Sequence, residues 1–157
     1  MDINPKDIYT FDDLNKVIAS KQISTDIIIR EGSIKTLGEI EIANGLLGFC
    51  DSTIESLGQL KEVKGDFFIS IHTVHSNLKS LDNLETVQGD LSLRYSNVEN
   101  LGALKRVGGK MNIRDTNISC LGQLEFVGGD LYLPKKIENK INLSNITING
   151  EVRFWND

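Results

Sequence analysis

Four near-copies of one phrase run through the middle of the chain: Leu57-Gly-Gln-Leu60-Lys-Glu-Val63-Lys-Gly65-Asp66, Leu81-Asp-Asn-Leu84-Glu-Thr-Val87-Gln-Gly89-Asp90, Leu101-Gly-Ala-Leu104-Lys-Arg-Val107-Gly-Gly109-Lys110 and Leu121-Gly-Gln-Leu124-Glu-Phe-Val127-Gly-Gly129-Asp130. Their leading leucines are 24, 20 and 20 residues apart. A period near 20 is the signature of a solenoid, in which no single coil can bury its apolar face and stacked neighbours share a continuous core. Spacing extends the pattern in both directions. Leu37, Ile40, Gly45, Leu47, Phe49 and Ile54 form an earlier copy, and Val17, Ile23, Ile27, Ile29 and Ile34 one before that. An irregular copy ends in Ile148, Gly150, Val152 and Phe154. The expectation is about seven coils in one domain covering 1–157: an N-terminal cap over 1–22, repeats over 23–150, and a C-terminal strand and cap over 151–157.

After each glycine the residues alternate, as in Asp90-Leu91-Ser92-Leu93-Arg94 and Lys110-Met111-Asn112-Ile113-Arg114. Period-two alternation predicts short strands near 26–30, 46–50, 66–70, 90–94, 110–114, 130–134 and 151–155, with Leu91 and Leu93 inward and Ser92 and Arg94 outward. Stacked in register they make one parallel sheet, and the rest of each coil is a tight loop pinned by inward leucines and valines. The glycines at 45, 65, 89, 109, 129 and 150 serve the architecture, through positive φ or close contact between coils. Thr10 to Ile18 reads as a short capping helix, with Thr10 as N-cap, Asp12 and Asp13 in the first turn, and Phe11, Leu14, Val17 and Ile18 on one face. Phe154 and Trp155 are expected to close the last coil.

Composition narrows the partners. A net charge of −5 and a pI near 5.1 disfavour nucleic acid and anionic membranes, because phosphate binding needs clustered cations. No apolar run approaches the length that spans a bilayer. The first residues lack a basic stretch followed by an apolar one, so a cytoplasmic location is the expectation. Cys50 and Cys120 have no CxxC spacing, and His72 and His75 lack evident further ligands; neither a metal nor another cofactor is expected. No nucleophile elbow, phosphate loop or dinucleotide fingerprint occurs, which points to a non-enzymatic protein.

The pattern Leu91-x-Leu93-x-x-Ser96-x-Val98-x-x-Leu101-x-x-Leu104-x-x-Val107-x-Gly109 resembles the leucine-rich repeat. It recurs as Met111-x-Ile113-x-x-Thr116-x-Ile118-x-x-Leu121 and Leu47-x-Phe49-x-x-Ser52-x-Ile54-x-x-Leu57, and it is also similar to the coils of receptor L domains. The resemblance covers about residues 17–155. It implies a right-handed, leucine-rich-repeat-like β-solenoid, with a binding surface on the strand face and no shared catalytic machinery. The family's ladder asparagine is replaced by Ser52, His72, Ser96 and Thr116, and four extra residues near His72–Leu78 should bulge from the stack.

Two outward rows follow from the alternation: Ile28, Gly48, Phe68, Ser92, Asn112, Tyr132, Arg153, and Arg30, Cys50, Ser70, Arg94, Arg114, Pro134, Trp155. Arginine and aromatic residues dominate interface hot spots, so a partner-binding face is expected to include Arg30, Phe68, Ser70, Ser92, Arg94, Asn112, Arg114, Tyr132, Arg153 and Trp155. The bland alternative pairs Arg94 and Arg114 with Asp115 or Asp90 and lays the aromatics over loop edges. Asp66, Asp90, Lys110 and Asp130 read as a self-neutralising charge row rather than an acid pair, and a reactive Cys50 is disfavoured. The expected partner is another protein, with an inhibitor or immunity-type role as a narrower reading. The alternative is a carbohydrate- or cell-surface-binding module that stacks its ligand on Phe68, Tyr132 and Trp155. A solenoid hydrolase ranks last, since the centre of the strand face carries no clustered carboxylates.

Overall fold

A computed structural model describes residues 6–30, 34–70 and 76–156. The chain forms a β-solenoid of about seven turns with parallel strands and little helix. Every strand expected from alternation is present, as Ile27–Arg30, Leu47–Cys50, Phe67–Ser70, Leu91–Ser92, Met111–Asn112, Leu131–Pro134 and Val152–Trp155. They stack in chain order into one parallel sheet, the first sheet. Its register reproduces the first outward row in full: Ile28, Gly48, Phe68, Ser92, Asn112, Tyr132 and Arg153 are successive partners. The inward residues Ile27, Ile29, Leu47, Phe49, Phe67, Leu91, Leu93, Met111, Ile113, Leu131 and Leu133 are buried. Phe49 and Phe67 meet edge to face, their ring centres 5.8 Å apart.

The expectation of a single sheet is corrected. A second eight-stranded sheet stacks two-residue strands that precede each glycine, including Ile42–Ala43, Glu62–Val63, Thr86–Val87, Arg106–Val107, Phe126–Val127 and Thr147–Ile148. Ile23, Ala43, Val63, Val87, Val107 and Val127 are its fully buried members. A two-residue strand shows no alternation, so its apolar valine reads as a loop anchor. Here backbone pairing between identical coil positions, rather than side-chain pattern, makes the sheet.

The N-terminal segment also differs from the expected helix alone. Lys6–Ile8 is a further strand of the first sheet, paired in parallel with Ile27–Arg30. A helix does follow, but it is confined to Phe11–Asn15. Thr10 Oγ1 accepts the Asp13 N–H at 3.2 Å, as an N-cap should. Leu14 is buried, and so is Val17, although the helix has ended before it. Phe11 is 45% exposed and lies outside the apolar face assigned to it. Ile18–Ala19 and Gln22–Ile23 then form an antiparallel hairpin that begins the second sheet. At the other end Phe154 packs against the core, whereas Trp155 is 44% exposed and does not close the coil.

Three side-chain ladders repeat along the solenoid, the first joining neighbouring coils and the other two fixing turns within each coil. The aspartate just before each first-sheet strand accepts a backbone N–H of the following coil: Asp26 from Leu46, Asp66 from Asp90, Asp90 from Lys110 and Asp130 from Glu151, at 2.7–2.9 Å. The carboxylates of the row Asp66, Asp90 and Asp130 are thus engaged by backbone N–H groups, a use beyond the expected charge row, within which Lys110 acts on Asp130 through its charge. Lys110 forms no ion pair among the described residues. The second ladder is buried: Ser52, Ser76, Ser96 and Thr116 each accept the N–H two residues on. The coil after Phe67–Ser70 therefore places Ser76, not His72, at the ladder position, and the extra residues precede it. His72 and His75 lie outside the described residues. The third ladder is Thr36, Ser56, Ser80 and Asn100, whose side-chain oxygens accept N–H groups at Gly38, Gly58, Asp82 and Gly102. Those four residues have φ between +49° and +60°. The glycines before the first-sheet strands have a different reason: a Cβ at Gly65 would stand 2.6 Å from the backbone of Gly45.

No helix among the described residues is long and apolar enough to cross a membrane.

Candidate functional site

With the interior filled by apolar side chains, the outer face of the first sheet offers the most varied chemistry. In its N-terminal half Ile27–Arg30, Leu47–Cys50 and Phe67–Ser70 are four residues long. Arg30 Nε donates to Asp7 at 2.7 Å, from the strand missed in the sequence. The Phe68 ring lies over Gly48, so close that a Cβ there would meet Cζ at 2.3 Å. Phe68 is therefore half-buried packing and not a projecting platform. Cys50 and Ser70 are in register beside Phe68. Burial pushes the Cys50 thiol up from its ordinary value, although Arg30 pulls the other way. A protonated thiol is a poor nucleophile. A shallow depression joins Cys50, Phe68 and Ser70 to Ser92, Arg94 and Tyr95.

The C-terminal half is built differently. Strands Leu91–Ser92 and Met111–Asn112 are two residues long and end in turns, with Tyr95 at φ +62° and Asp115 at φ +55°. Arg94 Nε donates to Asp115 Oδ2 at 2.7 Å, its guanidinium lies 4.3 Å from the centre of the Tyr95 ring, and it also donates to the Tyr95 hydroxyl. Arg114 Nε donates to Asn112 Oδ1 at 3.2 Å. Its Cζ stands over two rings, 4.6 Å from the centre of Trp155 and 5.5 Å from that of Tyr132. Tyr132 donates its hydroxyl hydrogen to Asp130 Oδ2 at 2.9 Å, while Arg153 is held by Glu151 at 2.6 Å and lies 5.9 Å from the Tyr132 ring centre. The Glu151 amide N–H and then the Tyr132 hydroxyl, assisted by Arg153 and Lys110, hold the Asp130 carboxyl below its ordinary value.

Of the residues expected on a binding face, Asn112, Arg114, Tyr132, Arg153 and Trp155 thus come together as one cation–aromatic cluster, and Arg94, with Tyr95 and Asp115, forms a second set beside it. Ser92 borders it, whereas Arg30, Phe68 and Ser70 belong to the other half. The alternative pairing is met for Arg94, which takes Asp115. It is not met for Arg114, and the Asp90 carboxylate serves the Lys110 backbone instead.

Tyr95 is the residue that alternation misses. Counting from Leu91 sends it inward, but the left-handed turn rotates it out, leaving it 54% exposed. Asp7, paired with Arg30 from a strand absent from the expected set, is likewise visible only once the coils are stacked.

Compared with known proteins, the chain matches no family model, no curated protein and no solved structure.

Proposed function

We propose that this protein is a non-enzymatic binding module that recognises another protein through the C-terminal half of the first-sheet face. The observation that carries the reading is the cluster of Arg114 and Arg153 with Tyr132 and Trp155, together with the set of Arg94 and Tyr95 beside it, on adjacent coils. Arginine and aromatic side chains anchor interfaces because they combine large contact area with directional donors. A rigid parallel sheet holds them at fixed spacing, which lowers the ordering cost of binding. On this reading the solenoid is of leucine-rich-repeat-like type, its N-terminal cap is the expected segment 1–22, and the protein works in the cytoplasm, in keeping with its unbridged Cys50 and Cys120. An inhibitor or immunity-type role is the narrower form of the same proposal. A sugar-stacking role has less support, because Phe68 lies over Gly48 and Arg114 covers Trp155.

The test is affinity capture from native lysate, comparing wild type with Arg94→Ser/Arg114→Ser and identifying retained proteins by mass spectrometry. Both side chains are partly exposed, and surface ion pairs contribute about 0–1 kcal/mol, so the double variant should fold normally. A protein retained by wild type and lost from the variant is the expected outcome. Equal retention by a folded variant would remove this face from the proposal.

A further inference from the structure

Four of the chain's five arginines, Arg30, Arg94, Arg114 and Arg153, lie on or beside the first sheet. Three have a carboxylate: Arg30 has Asp7, Arg94 has Asp115 and Arg153 has Glu151, each at 2.6–2.7 Å. Arg114 has none among the described residues. Its one side-chain hydrogen bond is from Nε to the neutral amide oxygen of Asn112. The rings of Trp155 and Tyr132 fix its position without neutralising its charge or supplying a lone pair to its two terminal nitrogens. Nearby acids are already engaged, with Asp115 on Arg94, Glu151 on Arg153, and Asp130 on the Tyr132 hydroxyl and the Glu151 amide.

We propose that Arg114 is the anchor that receives a side-chain carboxylate from an acidic segment of the partner protein. The claim deepens the binding-face reading and rests on it. A planar guanidinium fork matches a carboxylate in bidentate fashion. Aromatic contacts restrain the side chain beforehand, so little rotamer freedom is lost when the anion arrives. The same surroundings select a single negative charge over a phosphate dianion, since Asp115, Asp130 and Glu151 already cancel most of the local cationic field. Trp155 and Tyr95, at 44% and 54% exposure, leave apolar surface on the face for the residues flanking the acid.

The probe is a capped hexaglutamate peptide, with hexaglutamine as its neutral counterpart. Trp155 is the only tryptophan in the chain, so its emission reports on this site alone, and calorimetry gives an independent isotherm. The whole protein carries a net charge of −5, so general attraction works against an acidic probe. Hexaglutamate should bind saturably, more weakly as salt rises, and at least roughly tenfold more tightly than hexaglutamine, as expected when a charge-assisted fork is gained. Arg114→Gln should abolish that preference. Arg114→Lys, which keeps the charge and loses the fork, should weaken binding several-fold and serves also as the variant least disturbing to the fold.

Equal binding of the two peptides, unchanged hexaglutamate affinity in a folded Arg114→Gln variant, or tighter uptake of inorganic phosphate would each overturn the assignment. The two proposals fail separately. Loss of a captured partner from Arg94→Ser/Arg114→Ser, with no hexaglutamate binding, would reject the carboxylate and keep the face. Hexaglutamate binding through Arg114, with capture unchanged in that variant, would uphold the anion site and reject the face as the docking surface.

Discussion

The two halves of the first-sheet face stand on the same interior and present opposite surfaces. In the N-terminal half, Ile27–Arg30, Leu47–Cys50 and Phe67–Ser70 run four residues each, and the face closes on itself: Phe68 covers Gly48 and Arg30 is bound to Asp7. In the C-terminal half, two central strands stop after two residues, and turns at Tyr95 and Asp115 bring arginines and aromatic rings together above them. Inside, nothing marks the change, because Phe49, Phe67, Leu91, Leu93 and Ile113 are all buried in one continuous cluster. In a repeat protein the inward positions answer to the neighbouring coils, while the outward ones are free to diverge coil by coil. Recognition can therefore be concentrated on a few coils without altering the scaffold.

The largest expected effect tests whether the interior is shared. Phe49→Ala in the N-terminal half should cost about 3–5 kcal/mol and Leu93→Ala in the other half about 2–5 kcal/mol, as cavities in a packed core. Urea unfolding measures both. A cost well under 1 kcal/mol for Leu93→Ala, against a full cost for Phe49→Ala, would break the comparison by showing that the C-terminal coils are loosely packed.

How much of this was legible in the sequence depended on how many residues carried each signal. Leu91-Ser-Leu93-Arg94 spans two periods of a strand, enough to fix the register of the first sheet and its first outward row; in the second row Pro134, expected outward, is buried, and Arg94 and Arg114 lie past the ends of their two-residue strands. Arg106–Val107 spans one, and the second sheet went unseen. Ser76 was displaced from its ladder because the extra residues lie before it, and counting from Phe67 lands on His72. Phe11 was assigned inward from helical spacing, but a five-residue helix is too short to impose that spacing on its ends. In the candidate site, the arginines and Tyr132 followed from alternation. Tyr95 did not, because its own left-handed backbone breaks the alternation and turns its ring outward. The Arg94–Asp115 pair was among the readings of the sequence, whereas the Arg30–Asp7 pair depends on an extra strand stacking across coils, which single-coil periodicity does not encode.

A smaller effect separates the two surfaces chemically. Cys50 sits in the closed half, with its thiol held protonated by burial, while Cys120 is exposed. Alkylation proceeds through the thiolate and needs access. Iodoacetamide near neutral pH should therefore label Cys120 several-fold faster than Cys50, as read by peptide mass spectrometry over time. Urea below the unfolding transition should not narrow the gap. Equal rates in buffer would mean that the N-terminal half opens readily, and the contrast between a closed and an open face would be lost.

The smallest effect concerns acid. Asp130 is held below its ordinary value of 3.8 chiefly by the Glu151 amide, then by the Tyr132 hydroxyl. A carboxylate whose folded pKa is depressed contributes stability that is complete above its unfolded value and is lost as pH falls through the folded one. The window therefore lies below pH 3.8, where protonation weakens the hold on the last coil and on the Tyr132 ring beneath Arg114. Asp13 is depressed too, by Lys16 and Thr10, but it belongs to the N-terminal helix at the far end. The emission of Trp155 should thus shift in acid for wild type, and less for Asp130→Asn, whose amide oxygen still accepts the Glu151 N–H but cannot be protonated there. Asp13→Asn should leave the shift as it is in wild type. If Asp13→Asn removed the acid response and Asp130→Asn did not, the two ends of the solenoid would be melting as one unit, and the separate character of the C-terminal coils would lose its physical basis.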